Sequence, residues 1–305
     1  APPGACNVPL HGVNCLRGCL RVLTVAVAGL NLESLLRDLA SSASSVILSK
    51  VNDPSYKRII RTNAGDVTRG IDWLAEGAII DRLRAENINA VVITEERGVV
   101  NIGDNPEYVF IVDPLDGSLN FVLDVPFYSV SIAVAKYSRE ISLSDILAGV
   151  VHQVTSGITY YAEKGRGAFI NGERASFDES VLDKPVASIY IEPTVDVKLF
   201  EGLSRLYRAL GGFKIRSLGA ASLEVIMASL GKLLFFLDVR NRLRLYDIAA
   251  SYVFAREAGA IIDVVGGGLD KIPLTQQPRL SLLVTRNPKV AELIFSNLRI
   301  SANAY

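Results

Sequence analysis

The chain has 305 residues, half of them apolar, and a mean hydropathy of +0.30; these values exclude a disordered chain and predict roughly two domains or one large one. Its 32 basic and 32 acidic residues cancel, so the net charge favours neither a generic nucleic-acid surface nor a polybasic membrane surface. Two histidines are present, and all three cysteines lie in the first 19 residues, which nearly excludes a zinc site or a cysteine nucleophile elsewhere. We therefore expect carboxylates as the reactive groups, and carboxylates favour hard cations such as Mg²⁺.

Residues 1–30 differ in composition from the rest of the chain. They are rich in Pro, Gly and Cys before an apolar run that is far shorter than the roughly 20 residues needed to span a bilayer. Arg17 and Arg21 near this run also suggest a signal peptide, but no small-residue cleavage site accompanies them. We interpret the segment as a non-catalytic extension. Cys15 and Cys19, spaced as on one helical face, predict buried or free thiols because no second pair would complete a metal site.

From Asn31 onwards, helical stripes alternate with short apolar strands. Helices are predicted within 32–47, 71–83, 197–210, 220–230, 246–258 and 288–298. Strands are predicted at 90–94, 108–112, 127–135, 146–151, 158–162, 186–191, 213–215, 233–237 and 282–284. Hairpins mixed with crossovers favour a layered α+β architecture of two subdomains, 31–185 and 186–305.

Four acidic segments lie at the ends of predicted elements. In the first, Thr68 and Asp72 open a helix, and ordinary N-terminal capping is the alternative interpretation. In the second, Glu95 and Glu96 follow a buried strand directly, at the position where α/β sheets build their sites. A solvated charge pair is the alternative there.

The third segment runs from Asp113 to Asn120 and follows a strand. Asp-Pro and Asp-Gly form ordinary turns, but Pro114 also fixes one backbone angle. Asp113 and Asp116 can then point the same way, with the Leu115 carbonyl between them. Gly117 allows a ligand to approach the backbone, and the N–H groups that follow can face a phosphate.

The fourth segment places Asp247 at the start of an apolar helix, with several arginines upstream. A helix cap is again the simpler alternative. Taken together, the four segments supply five carboxylates at element ends, and their mutual repulsion predicts bound cations. Two Mg²⁺ ions sharing such a cluster would suit phosphoryl transfer to water. The five are Asp72, Glu95, Asp113, Asp116 and Asp247.

These segments resemble the motifs of the inositol monophosphatase and fructose-1,6-bisphosphatase superfamily, the lithium-sensitive Mg²⁺-dependent phosphatases. The first signature is matched by Asp113-Pro114-Leu115-Asp116-Gly117-Ser118-Leu119-Asn120, and the second by Tyr246-Asp247-Ile248-Ala249-Ala250 followed by Glu257-Ala258-Gly259. The other two acidic segments fall in the expected order, and the resemblance covers Asn31 to the C-terminus. It implies a layered αβαβα sandwich with the metal site between the subdomains.

The resemblance implies a role for each residue of the site. Two or three Mg²⁺ ions, or Mn²⁺ as a substitute, would be held by Glu95, Asp113, the Leu115 carbonyl, Asp116 and Asp247. Glu95 is preferred over Glu96 because the family's ligand is the first of the pair.

Catalysis would use Glu95, Ser118, Asp72 and Asp247. Asp72 would hydrogen-bond Ser118 and help to hold a third, weaker metal, and a water near Glu95 and Ser118 would attack phosphorus in line. Asp247 would position a water that protonates the leaving alkoxide.

The residues that would contact the substrate are Asp116, Gly117, Ser118, Leu119, Arg216, Ala221 and Arg240. Gly117, Ser118 and Leu119 would hold the phosphate through backbone N–H groups, and Arg216, Ala221 and Arg240 would face the sugar or cyclitol. For each arginine alone, a surface salt bridge is the alternative. Animal inositol-specific members carry a glutamate near Arg240, so the arginine fits the archaeal type with both activities.

We expect a Mg²⁺-dependent phosphomonoesterase acting on fructose 1,6-bisphosphate at C1, on inositol 1-phosphate, or on both. The alternatives are a 3′-phosphoadenosine 5′-phosphate or NADP phosphatase of the same superfamily, and a non-catalytic binding member of the fold. The expected partner is a small phosphorylated sugar or cyclitol, with no nucleic acid and no membrane. The resemblance also predicts a homodimer or homotetramer and a cytoplasmic location.

Overall fold

The computed structural model describes residues 30–63, 66–177, 184–192, 197–264, 267–276 and 278–298. The predicted extension and its cysteines lie outside these residues, apart from Leu30. The helices are α1 (Leu32–Lys50), α2 (Gly70–Ala85), α3 (Ser118–Val122), α4 (Val197–Ala209), α5 (Ala221–Leu230), α6 (Leu245–Glu257) and α7 (Pro288–Leu298). The strands are β1 (Ile59–Asn63), β2 (Asp66–Arg69), β3 (Ala90–Thr94), β4 (Gly98–Ile102), β5 (Tyr108–Asp116), β6 (Ser129–Lys136), β7 (Ile146–Gln153), β8 (Ile158–Glu163), β9 (Gly167–Ile170), β10 (Glu173–Arg174), β11 (Val186–Tyr190), β12 (Lys214–Arg216), β13 (Phe235–Leu243), β14 (Ile261–Val264) and β15 (Leu280–Thr285).

The first sheet has the strand order β10-β9-β8-β7-β6-β5-β3-β4. Its pairs are antiparallel except for β3 and β5, which run parallel with Thr94 opposite Val112. The central strands are buried on both faces. Since successive side chains point to opposite sides of a sheet, neighbouring residues of one strand contribute to different cores. Phe110 and Val112 contribute to one core, whereas Ile111 contributes to the other.

One face of this sheet is covered by α1 and α2, which pack on each other; α1 also packs on β6 and β7, and α2 packs on β5. Leu36, Leu39, Ile47, Ile71 and Ile79 are fully buried there. Burying side chains of this size contributes about 1.5–3 kcal/mol each. The opposite face is covered by α5 and α6, which share their core with the second sheet.

The second sheet has the order β12-β11-β13-β15-β14 and is mixed. Phe236 faces the core shared with α5 and α6, whereas Phe235 and Leu237 face α4 and α7 on the outer side. In the described part of the chain the layers therefore run helix, sheet, helix, sheet, helix. The predicted αβαβα sandwich is confirmed.

The described residues from Asn31 onwards form one compact unit. The change from the first sheet to the second falls between β10 and β11, close to the predicted boundary, and the two halves share a core. The two-subdomain division itself stays a prediction. Within the described ranges, no helix is long and apolar enough to cross a membrane.

Candidate functional site

The predicted acidic residues lie where adjoining elements begin or end. Glu95 follows β3, and Asp113 lies in β5 one residue beyond Val112, the register partner of Thr94. The parallel pairing therefore brings Glu95 and Asp113 to the same edge of the sheet. Asp247 lies in the first turn of α6, and its Oδ2 accepts a 2.7 Å hydrogen bond from Arg244 N.

The electrostatic effects among these carboxylates indicate that they lie near one another. Burial raises the pKa of Glu95 well above its ordinary value, and the nearby charges of Asp247, Glu96, Asp72 and Asp116 raise it further. Burial likewise raises the pKa of Asp113, and the nearby charges of Glu95, Asp116 and Asp247 raise it further. Such mutual effects require short separations, so residues from distant segments share one site.

The chemistry of the donor atoms suits a hard cation, although the side chains are not arranged around one ion position. Among the residues that the structure describes, no three His, Cys, Asp or Glu side chains stand in an arrangement that could hold an ion. The donors are nevertheless carboxylate oxygens, which Mg²⁺ prefers; Asp113 and Asp116 are buried, whereas Glu95 and Asp247 are half-buried. A cation would offset their repulsion. Their side chains would have to rotate in order to share the ion.

Asp116 connects the first sheet to α5. Its Oδ1 accepts from Ala221 N at 3.0 Å, and its Oδ2 accepts from Ser222 N at 2.8 Å and from Ser222 Oγ at 2.5 Å. Burial raises the pKa of Asp116 to about 6, and the Ser222 hydrogen bonds act against that rise. The N–H of Ala221 is thus used within the protein, and a substrate contact by Ala221 would have to use its other atoms.

Capping by Thr68 and Asp72 was the alternative interpretation of this segment. Asp72 does cap α2, whereas Thr68 does not. Asp72 Oδ2 accepts from Arg69 N at 2.9 Å, whereas the Thr68 hydroxyl donates to Glu96. The hydrogen bond expected between Asp72 and Ser118 is not formed between these described residues, and Ser118 Oγ accepts from Arg69 Nη1 at 3.4 Å. Asp72 Oδ1 is buried without a hydrogen-bond partner in the described part of the chain. Burial raises the pKa of Asp72 to about 7.

The two adjacent glutamates differ in their surroundings. Glu96 is 8% exposed, receives the Thr68 hydroxyl, and has a pKa raised to about 7, mainly by burial. Glu95 interacts instead with the charges of Asp247 and Asp116. This difference supports the prediction that Glu95 is the member of the pair that faces the ion.

The sequence analysis missed Glu76, which fastens the turn that carries Glu95. Glu76 is fully buried. Its Oε2 accepts from Thr94 Oγ1 at 2.6 Å and from Glu96 N at 3.1 Å, and its Oε1 pairs with Arg97 Nε at 2.7 Å. A signal was present, since Glu76 lies four residues after Asp72 and therefore on the same face of α2.

The predicted phosphate cradle lies at the start of α3. Gly117 adopts φ +89°, and a Cβ there would come within 3.1 Å of Ala220 Cβ and of Phe127 O, so the position requires glycine. Asn120 was not assigned a role, yet its Nδ2 donates to Phe127 O at 2.7 Å and to Leu218 O at 2.6 Å. It ties the cradle to residues 216–221, called here the substrate-side loop because Arg216 and Ala221 are predicted substrate contacts. The first N–H groups of a helix have no partner within the helix, so those at the start of α3 are donors that a phosphate could use.

The predicted substrate arginines already have contacts within the protein. Arg240 pairs with fully buried Asp238 at 2.6 Å and lies 4.4 Å from the centre of the Tyr190 ring. Arg216 is exposed, and its Nη1 donates to Ile215 O at 2.8 Å. Either arginine would have to move in order to reach a ligand, so their substrate contacts stay predictions.

A second buried glutamate organises the substrate-side loop. Glu224, fully buried in α5, accepts from Leu218 N at 3.0 Å, Gly219 N at 3.1 Å and Ser188 Oγ at 2.5 Å. Tyr190 also donates to it. The sequence offered no signal for this role, because Glu224 lies inside an apolar helix and its partners lie in other segments.

Comparisons with known proteins match this architecture. A family model described as the inositol monophosphatase family matches residues 31–301. The chain is 32% identical over 271 residues to a fructose-1,6-bisphosphatase/inositol-1-monophosphatase from Methanothermobacter thermautotrophicus, covering 86% of this chain and 94% of that protein. It is 33% identical over 236 residues to a bifunctional NADP phosphatase/NAD kinase from Methanococcus maripaludis, covering 72% of this chain and 40% of that protein. A solved inositol monophosphatase–fructose 1,6 bisphosphatase structure superposes with a TM-score of 0.71 at 26% identity, covering 88% of this chain and 99% of that one.

Proposed function

This chain belongs to the inositol monophosphatase family, as its motifs predicted, and from that membership we propose a Mg²⁺-dependent phosphomonoesterase. Its substrates would be fructose 1,6-bisphosphate, cleaved at C1, inositol 1-phosphate, or both. The supporting observation is that carboxylates from separate segments act on one another: the charges of Asp116 and Asp247 raise the pKa of both Glu95 and Asp113. Such a cluster is costly without a cation, so it is best explained as a binding site.

The proposed metal ligands are Glu95, Asp113, the Leu115 carbonyl, Asp116 and Asp247. Asp113 Oδ1 is oriented by Leu115 N at 3.0 Å, and Asp116 is oriented by the start of α5. Bound Mg²⁺, or Mn²⁺ in its place, would lower the pKa of a bound water and offset charge on the phosphoryl group.

The protein's own groups would position the reactants. Gly117, Ser118 and Leu119 would hold the phosphate through their backbone N–H groups. Glu95 and the Ser118 hydroxyl would orient the attacking water on the side opposite the leaving group. Asp247, fixed by Arg244 N, would orient the water that protonates the leaving alkoxide. Little covalent chemistry is asked of the protein, since phosphoryl transfer depends mainly on positioning and charge stabilisation.

Arg240 is the proposed determinant for a bisphosphate, because a second phosphate needs a cationic contact. Because Arg240 pairs with Asp238, substrate binding would replace the Asp238 carboxylate with the second phosphate as the partner of Arg240. Arg240→Ala should therefore raise KM for fructose 1,6-bisphosphate more than KM for inositol 1-phosphate. Arg256→Ala is the control, since Arg256 is half exposed and pairs with Asp270 at 3.6 Å. Equal effects of Arg240→Ala on both substrates would remove Arg240 from this role.

The proposed activity is tested by phosphate release from a panel of esters with Mg²⁺ and with EDTA. The panel contains fructose 1,6-bisphosphate, inositol 1-phosphate, NADP and 3′-phosphoadenosine 5′-phosphate. We expect release from one or both of the first two, and only with metal. Undiminished release in EDTA would reject the proposal.

Two alternatives are separated by the same panel. Preferential release from NADP would favour the activity named for the Methanococcus maripaludis relative. No release from any ester, with a protein retained in a pull-down, would favour a non-catalytic binding role. The buried carboxylate set argues against that role, because a binding protein has no need to maintain mutually repelling charges. Assembly as a homodimer or homotetramer and a cytoplasmic location stay predictions.

A further inference from the structure

Arg69 is a cation of the site that neither the motifs nor the proposed mechanism uses. It ends β2 and lies directly before α2, where its backbone N–H is fixed by Asp72 Oδ2 at 2.9 Å. Its side chain reaches across to the phosphate cradle, because Nη1 donates to Ser118 Oγ at 3.4 Å. The residue is half-buried, so its guanidinium lies at the site and not in bulk solvent.

Two atoms beside this contact have no partner. Over the described ranges, the buried Arg69 Nε donates no hydrogen bond and the buried Asp72 Oδ1 accepts none. Asp72 is only 2% exposed. Buried polar atoms are nearly always hydrogen-bonded in folded proteins, and exceptions call for a ligand or a functional reason. The guanidinium that contacts Ser118 therefore keeps an unused donor, and Asp72, which fixes the backbone of Arg69, keeps an unused acceptor.

A phosphate monoester matches this arrangement. Its non-bridging oxygens accept hydrogen bonds, and the planar guanidinium presents several donors in one plane that bind phosphate in pairs. The unused Asp72 Oδ1 is in turn an acceptor that could take the proton of the water that Glu95 and the Ser118 hydroxyl would orient. The groups around Arg69 are otherwise carboxylates, including Asp72 and Glu96, whose ionised forms it favours. A protein cation at this point offsets their repulsion of an anionic substrate.

We propose that Arg69 is a catalytic residue that binds a non-bridging oxygen of the substrate phosphate beside Ser118. The proposal deepens the function proposed above and rests on it. During hydrolysis the water oxygen bonds to phosphorus, the phosphorus–ester oxygen bond breaks, and the leaving alkoxide takes a proton. Arg69 exchanges no proton in this sequence, because guanidinium stays charged. Its positive charge stabilises the negative charge that spreads over the equatorial oxygens.

The test compares Arg69→Ala and Arg69→Lys with the control Arg61→Ala. Arg61 is an exposed arginine in β1, the partner strand of β2. The first readout is binding of inorganic phosphate by calorimetry with Mg²⁺ present, which involves no turnover. The second is kcat with the substrate preferred by the wild-type protein. We expect Arg69→Ala to weaken phosphate binding by about 10-fold or more and to lower kcat by about 100-fold.

Chemical rescue separates a direct role from a merely structural one. Millimolar guanidinium should restore part of the phosphate binding of Arg69→Ala, whereas the same concentration of NaCl should not. Arg69→Lys should fall between the wild type and Arg69→Ala, because it retains charge without the paired donors. If Arg69→Ala fails to fold by circular dichroism, Arg69→Lys decides the question on its own.

Wild-type phosphate affinity in both Arg69 variants, or no phosphate binding by the wild-type protein, would overturn the proposal. Wild-type hydrolysis of no ester in the panel would instead overturn the proposed function. In that case the phosphate isotherms would still report whether Arg69 binds an anion.

Discussion

Asp116, at the end of β5, accepts hydrogen bonds on Oδ2 from both the N–H and the hydroxyl of Ser222, which lies 106 positions further along the chain. Ser222 is fully buried, so the contact fixes the carboxylate of the first sheet to the first turn of α5. The hydroxyl also lies 2.9 Å from Ser129 Oγ in β6. One proposed metal ligand is therefore oriented by a helix that the acidic motifs do not contain.

Ser222→Ala should lower both stability and metal affinity. The change removes a donor to a buried carboxylate, which costs about 1–3 kcal/mol, and it loosens the orientation of Asp116. We expect a lower urea midpoint and an apparent Mg²⁺ half-saturation raised by about 10-fold. Ser229→Ala is the matched control in the same helix, because its buried hydroxyl donates only to Val225 O at 2.7 Å. The same Mg²⁺ shift in both variants would show that Ser222 has no specific role.

Asp113→Asn should abolish most of the activity without unfolding the protein. The amide keeps an oxygen that can accept from Leu115 N, now at 3.0 Å from Asp113 Oδ1, but it removes a charge that the cation needs. Turnover should fall by about 100-fold or more. Melting of the metal-free variant in EDTA should occur at or above the wild-type temperature, because one member of a repelling cluster is gone.

The control for this variant is Asp124→Asn. Asp124 is exposed, pairs with Lys57, and adopts φ +59°, a conformation that asparagine tolerates equally well. It should leave turnover unchanged. Wild-type turnover in Asp113→Asn would contradict the role given to Asp113.

The sequence predicted the elements with strong periodicity and missed those without it. The strand at Ala90–Thr94 and the helix at Pro288–Leu298 agree with the structure at both ends, because buried strands and amphipathic helices carry regular apolar patterns. The hairpin of β1 and β2 was missed, since Ile59 and Ile60 are both exposed and no alternation marks a buried face.

Strand β5 shows how a local signal can mislead. Asp113-Pro114-Leu115-Asp116 reads as a turn, but the strand continues through it to Asp116, which pairs with Ser129 beyond an irregularity in the register. Tertiary pairing overrides turn propensity there. For the site, the acidic residues could be proposed from the sequence because each stands in a short polar segment beside a predicted strand or helix. Partners such as Glu76 and Glu224 were not, because their contacts join segments that only the fold brings together.

Glu76→Gln should weaken metal binding more than it lowers turnover. Glu76 accepts from Thr94 Oγ1 and Glu96 N and pairs with Arg97, so it holds the turn that carries Glu95. The amide has one acceptor oxygen in place of two, and part of this set must be lost. We expect the apparent Mg²⁺ half-saturation to rise by about 10-fold or more, with a smaller loss of kcat at saturating Mg²⁺.

Glu86→Gln controls for removal of a glutamate associated with α2. Glu86 is exposed and pairs with Arg82 at 2.7 Å, a surface contact worth about 0–1 kcal/mol. It should leave the Mg²⁺ dependence unchanged. If Glu76→Gln lowered kcat at saturating Mg²⁺ as strongly as it changed half-saturation, its role would not be limited to orienting Glu95.

The metal-free protein should lose stability as the pH rises from about 4 to above 7. Burial is the main cause that raises the pKa of Asp72, Glu96 and Asp247 to about 7 and that of Asp116 to about 6, whereas in the unfolded chain these groups titrate near 4. Between the two values the folded state binds more protons than the unfolded state, so the free energy of unfolding falls with increasing pH.

Mg²⁺ binds the ionised carboxylates and should reverse the trend. Urea unfolding at pH 5 and pH 8, in EDTA and in Mg²⁺, measures how the free energy of unfolding changes with pH in each condition. Asp247→Asn should reduce this change in EDTA. Greater stability at pH 8 than at pH 5 without metal would contradict the raised pKa values of these carboxylates in the folded protein.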